Sequence, residues 1–172
     1  MRAEIIFTGN ELLAGQVLNT HGKYLSEQLT EMGIEIVLHT TVGDNWGYLR
    51  LIFEEALKRS DLIITTGGLG PTEDDLTKET VADLLGKRLI VSDTVSDNAC
   101  NSFTKRGLKA PRCINKQALI PENAVLLENR KGTAPGLLIE GKQTIVLLPG
   151  PPVEMKYVFE HSVIPYLRQR IG

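Results

Sequence analysis

Three glycines, Gly67, Gly68 and Gly70, flank Leu69 and run through Pro71 and Thr72 into three carboxylates, Glu73, Asp74 and Asp75. Glycine leaves backbone N–H groups uncovered and takes positive φ at no steric cost. A helix N-terminus following such a loop adds partial positive charge, and the combination suits phosphate oxygens. It is not a Walker A loop, because no Gly-Lys-Ser/Thr follows, and it fails the dinucleotide fingerprint because Glu73 stands where the last Gly or Ala belongs. Carboxylates this close would spoil a bare phosphate pocket. A divalent metal such as Mg²⁺, held by a carboxylate or two together with phosphate oxygens and water, removes the conflict and suits a pyrophosphate. The plainer alternative is structural: acids favour a helix's first turn through the macrodipole, and Thr72-x-x-Asp75 resembles a capping box.

Three more segments are unusual: Gly9 to Gly15 (including Asn10 and Glu11), Gly43-Asp44-Asn45, and Leu148-Pro149-Gly150-Pro151-Pro152. Singly, each is ordinary turn chemistry. Asp44 reads equally as the N-cap of the next helix, and Glu11 as a solvated loop residue. If all four loops follow parallel strands, however, they meet in one crevice at the strands' C-terminal edge. The substrate-binding candidates are then Gly9, Glu11, Gly67, Gly68, Leu69, Gly70, Pro71 and Thr72, with Pro149, Gly150 and Pro151 closing the pocket wall. His21, His39 and His161 are too scattered for a zinc set, and no GxSxG or Cys/His pair marks a nucleophile. Lys78 and Lys105 read as solvated helix residues more readily than as phosphate contacts. Trp46, beside Asp44, reads as a packing residue before a stacking one, and Cys100 and Cys113 as idle thiols.

The elements that must position these loops are legible from patterning. Residues 3–8 read as a first strand ended by Gly9. From Thr20 to Met32, Leu25, Leu29 and Met32 recur at helical spacing, with Thr20 as N-cap and Gly33 at the C-terminus. Residues 34–42 form a second strand. Leu49, Ile52, Phe53, Ala56 and Leu57 stripe a second helix. Leu62–Thr66 is a third strand, and Val81, Leu84 and Leu85 point inward from a helix over Leu76–Leu85. Three strand–helix units imply parallel strands joined by right-handed crossovers, hence an α/β fold. A further helix is predicted over Asp93–Arg106, ended by Gly107, and Pro111 argues against an uninterrupted helix after it. Strands are predicted at Ala124–Leu127, Gly136–Glu140 and Gln143–Leu148. A tight Gly141-Lys142 hairpin joins the last two and makes one strand antiparallel. Pro151 or Pro152 opens a final helix with Met155, Val158 and Phe159 inward. No repeat or linker interrupts the chain, so residues 1–172 read as one domain.

Composition agrees with a globular α/β protein. The chain has 172 residues, of which 42% are hydrophobic, with 19 Lys/Arg against 21 Asp/Glu and a net charge of -2. That balance supplies no basic face for nucleic acid. The longest apolar runs are strand-length, whereas a membrane span needs about 20 apolar residues. Glu4 interrupts the only early apolar stretch and no small-residue cleavage site follows, so no signal peptide is read and the cytoplasm is expected.

Together GNELLAGQVLNT (9–20), VGDN (42–45), TTGGLGPTEDDLT (65–77) and LPGPPVEM (148–155) resemble the N-terminal domain of the CinA competence/damage-inducible proteins. That domain belongs to the superfamily of the molybdopterin-binding MoaB and MogA proteins, and the likeness spans essentially the whole chain. It implies a three-layer α/β/α fold with a mostly parallel sheet and a homo-oligomer acting on a small-molecule nucleotide. The implied reaction is metal-dependent hydrolysis of ADP-ribose to AMP and ribose 5-phosphate, with Mg²⁺, Mn²⁺ or Co²⁺ as the ion. By motif the functional acids fall on Asp44 and Asp75. With Asp74 they form the implied catalytic and metal-binding set, while the amides of Gly67 to Gly70 hold phosphate and a carboxylate activates the attacking water. The pterin relatives have GGTG followed by Arg-Asp. Leu69 and Asp74-Asp75 here favour the CinA branch, and Asn10 stands where many CinA sequences have Asp. The alternatives are a molybdopterin adenylyltransferase and a module that binds a pterin or nucleotide without turnover.

Overall fold

The strand–helix alternation builds a sheet whose parallel strands all end on one edge. In the computed structural model, which describes residues 1–105 and 114–172, the chain runs β1 (Arg2–Thr8), α1 (Asn10–Leu13), α2 (His21–Glu31), β2 (Glu35–Val42), α3 (Trp46–Arg59), β3 (Leu62–Thr66), α4 (Thr77–Leu84), β4 (Leu89–Val91), α5 (Asp93–Lys105), α6 (Ile114–Ala118), β5 (Leu119–Pro121), β6 (Val125–Leu127), β7 (Gly136–Ile139), β8 (Thr144–Leu148) and α7 (Pro152–Val158). A π-helical turn, Phe159–Val163, then leads into α8 (Ile164–Ile171). The main sheet has six strands in the order β2-β1-β3-β8-β7-β6. The strands β2, β1, β3 and β8 pair in parallel, and only β7 runs against its neighbours.

Both faces of this sheet are covered, and the period-two alternation of strand side chains shows it directly. Ile5, Phe7, Ile64, Val146 and Leu148 pack on one side with Leu25 and Leu29 of α2, Met155 and Val158 of α7, and Leu167 of α8. Ile6, Ile63, Ile145 and Leu147 pack on the other with Leu49 and Phe53 of α3 and Val81 of α4. The result is the three-layer α/β/α arrangement, with β7 as the single antiparallel strand. Among the described residues no helix is long and apolar enough to cross a membrane.

Several local expectations are corrected. The α2 N-terminus is served by Asn19, whose Oδ1 accepts from Gly22 N at 3.3 Å, while Thr20 makes no side-chain cap bond. The α3 N-cap is Asn45, whose Oδ1 accepts from Tyr48 N at 3.1 Å, so Asp44 is released from that role. The β7–β8 connection is wider than a two-residue hairpin, since Ile139 pairs with Ile145. A two-stranded antiparallel sheet of β4 and β5 was not anticipated. Its strands have three residues each, too short for alternation to register. The predicted helix end at Arg106–Gly107 lies outside the described residues, as do Pro111 and Cys113.

Candidate functional site

The ends of β1, β2, β3 and β8 are stitched together by Gly9 N donating to Val42 O at 3.1 Å and Gly67 N donating to Leu148 O at 3.0 Å. The loops after these strands line one cavity of about 570 Å³, a size usual for small-molecule sites. Every substrate-binding candidate is there: Gly9, Glu11, Gly67, Gly68, Leu69, Gly70, Pro71, Thr72, Pro149, Gly150 and Pro151, together with Asp44, Asp74 and Asp75.

The glycine loop is sterically obligatory. Gly67 and Gly68 have φ of +99° and +68°. A Cβ on Gly67 would stand 2.6 Å from the Thr8 carbonyl oxygen, and one on Gly68 would collide with the Thr77 hydroxyl. Thr77 N donates to Gly68 O at 3.2 Å, which closes the loop onto the start of α4. The Gly67 amide is committed to the Leu148 carbonyl.

The acids surround this loop. Asp44 Oδ2 accepts from Asn10 N at 3.1 Å, and Asn10 Oδ1 accepts from Asp44 N at 3.1 Å. Burial pushes the Asp44 carboxyl above the ordinary aspartate range, the Asn10 amide opposes this, and repulsion from Glu11, Asp74 and Asp75 adds to the rise. Asp75 Oδ2 accepts from both Thr72 N at 2.9 Å and Thr72 Oγ1 at 2.6 Å. This resembles the reciprocal half of a capping box. The helix, however, begins only at Thr77, so Asp74 and Asp75 sit in a turn ahead of it and not in its first turn. Among the described residues no three His, Cys, Asp or Glu side chains converge tightly enough to hold a metal by themselves. A divalent ion here would need phosphate oxygens and water to complete its coordination, as Mg²⁺ commonly has.

Patterning missed other cavity residues. His21, Gln117, Thr133, Ala134 and Glu154 also line it. His21 Nδ1 lies 3.1 Å from Thr66 Oγ1, and burial, reinforced by nearby Lys156, lowers its pKa. Asn129 organises the loop before β7: its Oδ1 accepts from Gly132 N at 3.1 Å, and its Nδ2 donates to Glu154 Oε2 at 2.7 Å. The signal was present as Gly132-Thr133-Ala134-Pro135-Gly136, a Gly/Pro segment like the others. It precedes its strand, and only the reversed direction of β7 brings it to the common edge.

Lys78 fits neither sequence reading. It is 2% exposed, and its Nζ donates to the carbonyls of Lys116 at 2.6 Å and Gln117 at 3.2 Å, so it contacts neither solvent nor cradle. Burial lowers its pKa to about 8. Trp46, 40% exposed at the start of α3, is not among the cavity-lining residues.

Comparison with known proteins agrees with this architecture. The probable molybdopterin binding domain family matches residues 4–169. A crystal structure of the CinA protein of Thermoplasma acidophilum, described as of unknown function, superposes with a TM-score of 0.85 at 32% identity, covering 99% of this chain and 98% of that one. The chain belongs to the CinA branch of the molybdopterin-binding domain family. A relative from Desulforamulus reducens, carrying the name competence-damage inducible protein, is 54% identical over 168 residues. That match covers 97% of this chain but 41% of the relative, and a similarly named protein of Caldicellulosiruptor saccharolyticus is 52% identical with the same 41% share. The chain therefore spans well under half the length of these relatives. The molybdopterin biosynthesis enzyme MoaB of Thermus thermophilus shares the fold, with a TM-score of 0.65 at 22% identity, covering 99% of this chain and 93% of that one.

Proposed function

We propose that this domain is a cytoplasmic, metal-assisted pyrophosphohydrolase that cleaves ADP-ribose into AMP and ribose 5-phosphate. The observation that carries the reading is the sharing of one cavity by Gly68, Leu69 and Gly70 with Asp44, Asp74 and Asp75. The Gly68–Gly70 amides receive phosphate oxygens. A divalent ion held by Asp44, Asp74 or Asp75 would offset phosphate charge and lower the pKa of the attacking water. Asp44 Oδ1 and Asp75 Oδ1 are the oxygens left over from the bonds to Asn10 and Thr72, and either would take a proton from that water. As the water oxygen bonds to phosphorus, the bridging P–O bond breaks and both products leave as phosphate monoesters. Pro149, Gly150 and Pro151 form part of the cavity wall.

The test is incubation with ADP-ribose and Mg²⁺, Mn²⁺ or Co²⁺, followed by separation of the products. Metal-dependent appearance of AMP is expected; its absence with all three ions would overturn the reading. The family's own description favours a second reading, molybdopterin binding or adenylylation in the same cavity. Transfer of AMP from ATP to molybdopterin, without ADP-ribose cleavage, would establish it.

A further inference from the structure

We propose that Lys116 and Gln117, which lie outside every motif that carries the family resemblance, are positioning residues that fix two walls of the cavity relative to one another. The first wall is the acid turn, Thr72 to Asp75. Lys116 Nζ donates to the carbonyls of Thr72, of Glu73 at 3.2 Å and of Asp75 at 2.7 Å. An ammonium bonded to carbonyls forms charge-assisted hydrogen bonds, stronger than neutral ones. From within, the turn is held by Asp75 Oδ2, which accepts from Thr72 N and Thr72 Oγ1. Thr72, Glu73 and Asp74 are exposed, and its internal backbone bond, Asp75 N to Thr72 O, is long at 3.3 Å.

The second wall is the loop before β7. Gln117, 4% exposed, donates from Nε2 to Thr133 Oγ1 at 3.2 Å, and both residues face the cavity. The segment bearing Lys116 and Gln117 is itself pinned to α4, because the buried Lys78 ammonium bonds both of their carbonyls. A continuous polar chain thus runs from α4 through residues 116 and 117 to the acid turn on one side and the Thr133 loop on the other. Lys116 therefore sets where the Asp74 and Asp75 carboxylates stand, and Gln117 sets the width of the cavity opposite them.

What those carboxylates do rests on the proposed hydrolysis, but the clamp is testable without it. Lys116→Met keeps the aliphatic stem and removes the ammonium. Supporting partners of metal-binding groups are usually worth about 10- to 100-fold in metal affinity or activity. We expect Mn²⁺ bound in the presence of AMP, followed by electron paramagnetic resonance, to weaken by about that factor, and amides of the 72–76 segment to exchange hydrogen faster while the rest of the sheet does not. Lys116→Arg, which keeps the charge, should recover part of both effects. Gln117→Leu should raise KM for ADP-ribose and leave the Mn²⁺ requirement where it was. A merely structural role would lower the melting temperature without moving Mn²⁺ affinity.

Unchanged exchange in the 72–76 segment together with unchanged Mn²⁺ affinity in Lys116→Met would overturn the proposal. If that variant fails to fold, Lys116→Arg decides: Mn²⁺ affinity equal to the parent's contradicts a clamp that depends on ammonium geometry, and an intermediate value supports it. Should the parent release no AMP with any ion, the hydrolase reading falls, while the exchange and Mn²⁺ measurements still judge the clamp.

Discussion

Single side chains at the rim have separable jobs. Asp75 both anchors Thr72 through one oxygen and offers the other to the cavity. Asp75→Asn keeps an acceptor for the Thr72 amide, so the fold should persist while turnover falls by about 100-fold or more, as for other groups at a charged transition state; undiminished AMP release would remove Asp75 from the reaction. Gly68→Ala places a Cβ against Thr77 at a φ of +68°. Left-handed strain alone is worth about 1–2 kcal/mol, so denaturant midpoints should drop and AMP binding should be lost.

Lys78 titrates in a direction that can be checked. Its folded pKa, about 8 against the ordinary 10.5, is depressed, so the associated stability is fully present above pH 10.5 and diminishes as the pH falls through 8. Protonating the buried amine costs at most about 3 kcal/mol. Relative to Lys78→Met, the parent protein should therefore gain stability between pH 8 and 10.5, as read by urea midpoints. A flat difference over that window would mean that the amine is effectively solvated.

The elements show why some of this was legible and some was not. Strands of five or more residues backed by amphipathic helices announced themselves: the Leu25–Leu29 and Leu49–Phe53 stripes both pack where their spacing says. Local patterning around the ends of the parallel strands marked the glycine loop and the acids Asp44, Asp74 and Asp75. It passed over the Asn129–Ala134 loop because that loop reaches the site by preceding an antiparallel strand. It passed over Lys116 and Gln117 because their contacts lie 41 to 44 residues away in sequence for Lys116 and 16 away for Gln117, which no local period encodes.

Glu4 is a further case. Inside β1 it looked only like a break in an apolar run, yet it is 0% exposed and takes a bidentate bond from Arg59 at the end of α3, with both distances at 2.8 Å. Arg59→Met leaves that buried carboxylate with hydroxyl partners alone, Ser60 at 3.5 Å and Thr40 at 3.3 Å. The cost should be about 3 kcal/mol, whereas the double change with Glu4→Met should cost less. Thermal melts of the three proteins would show whether the double variant recovers as expected.

For the molecule as a whole, cavity, cradle and acids form one electrostatic unit. Burial raises the Asp44 pKa, and the neighbouring charges of Glu11, Asp74 and Asp75 add to the rise. A cation and a phosphate should therefore each ease the binding of the other. Ligand at one hundred times its Kd stabilises by about 2.7 kcal/mol, and AMP with Mn²⁺ should raise the melting temperature by more than the sum of the two shifts measured separately. Simple additivity would place the two ligands in independent sites. The most direct measurement is a crystal of the chain soaked with AMP and Mn²⁺. The phosphate is expected against the Gly68–Gly70 amides with the ion between it and Asp44, Asp74 or Asp75; a phosphate bound away from the glycine loop, or an ion touching none of these acids, would contradict the account.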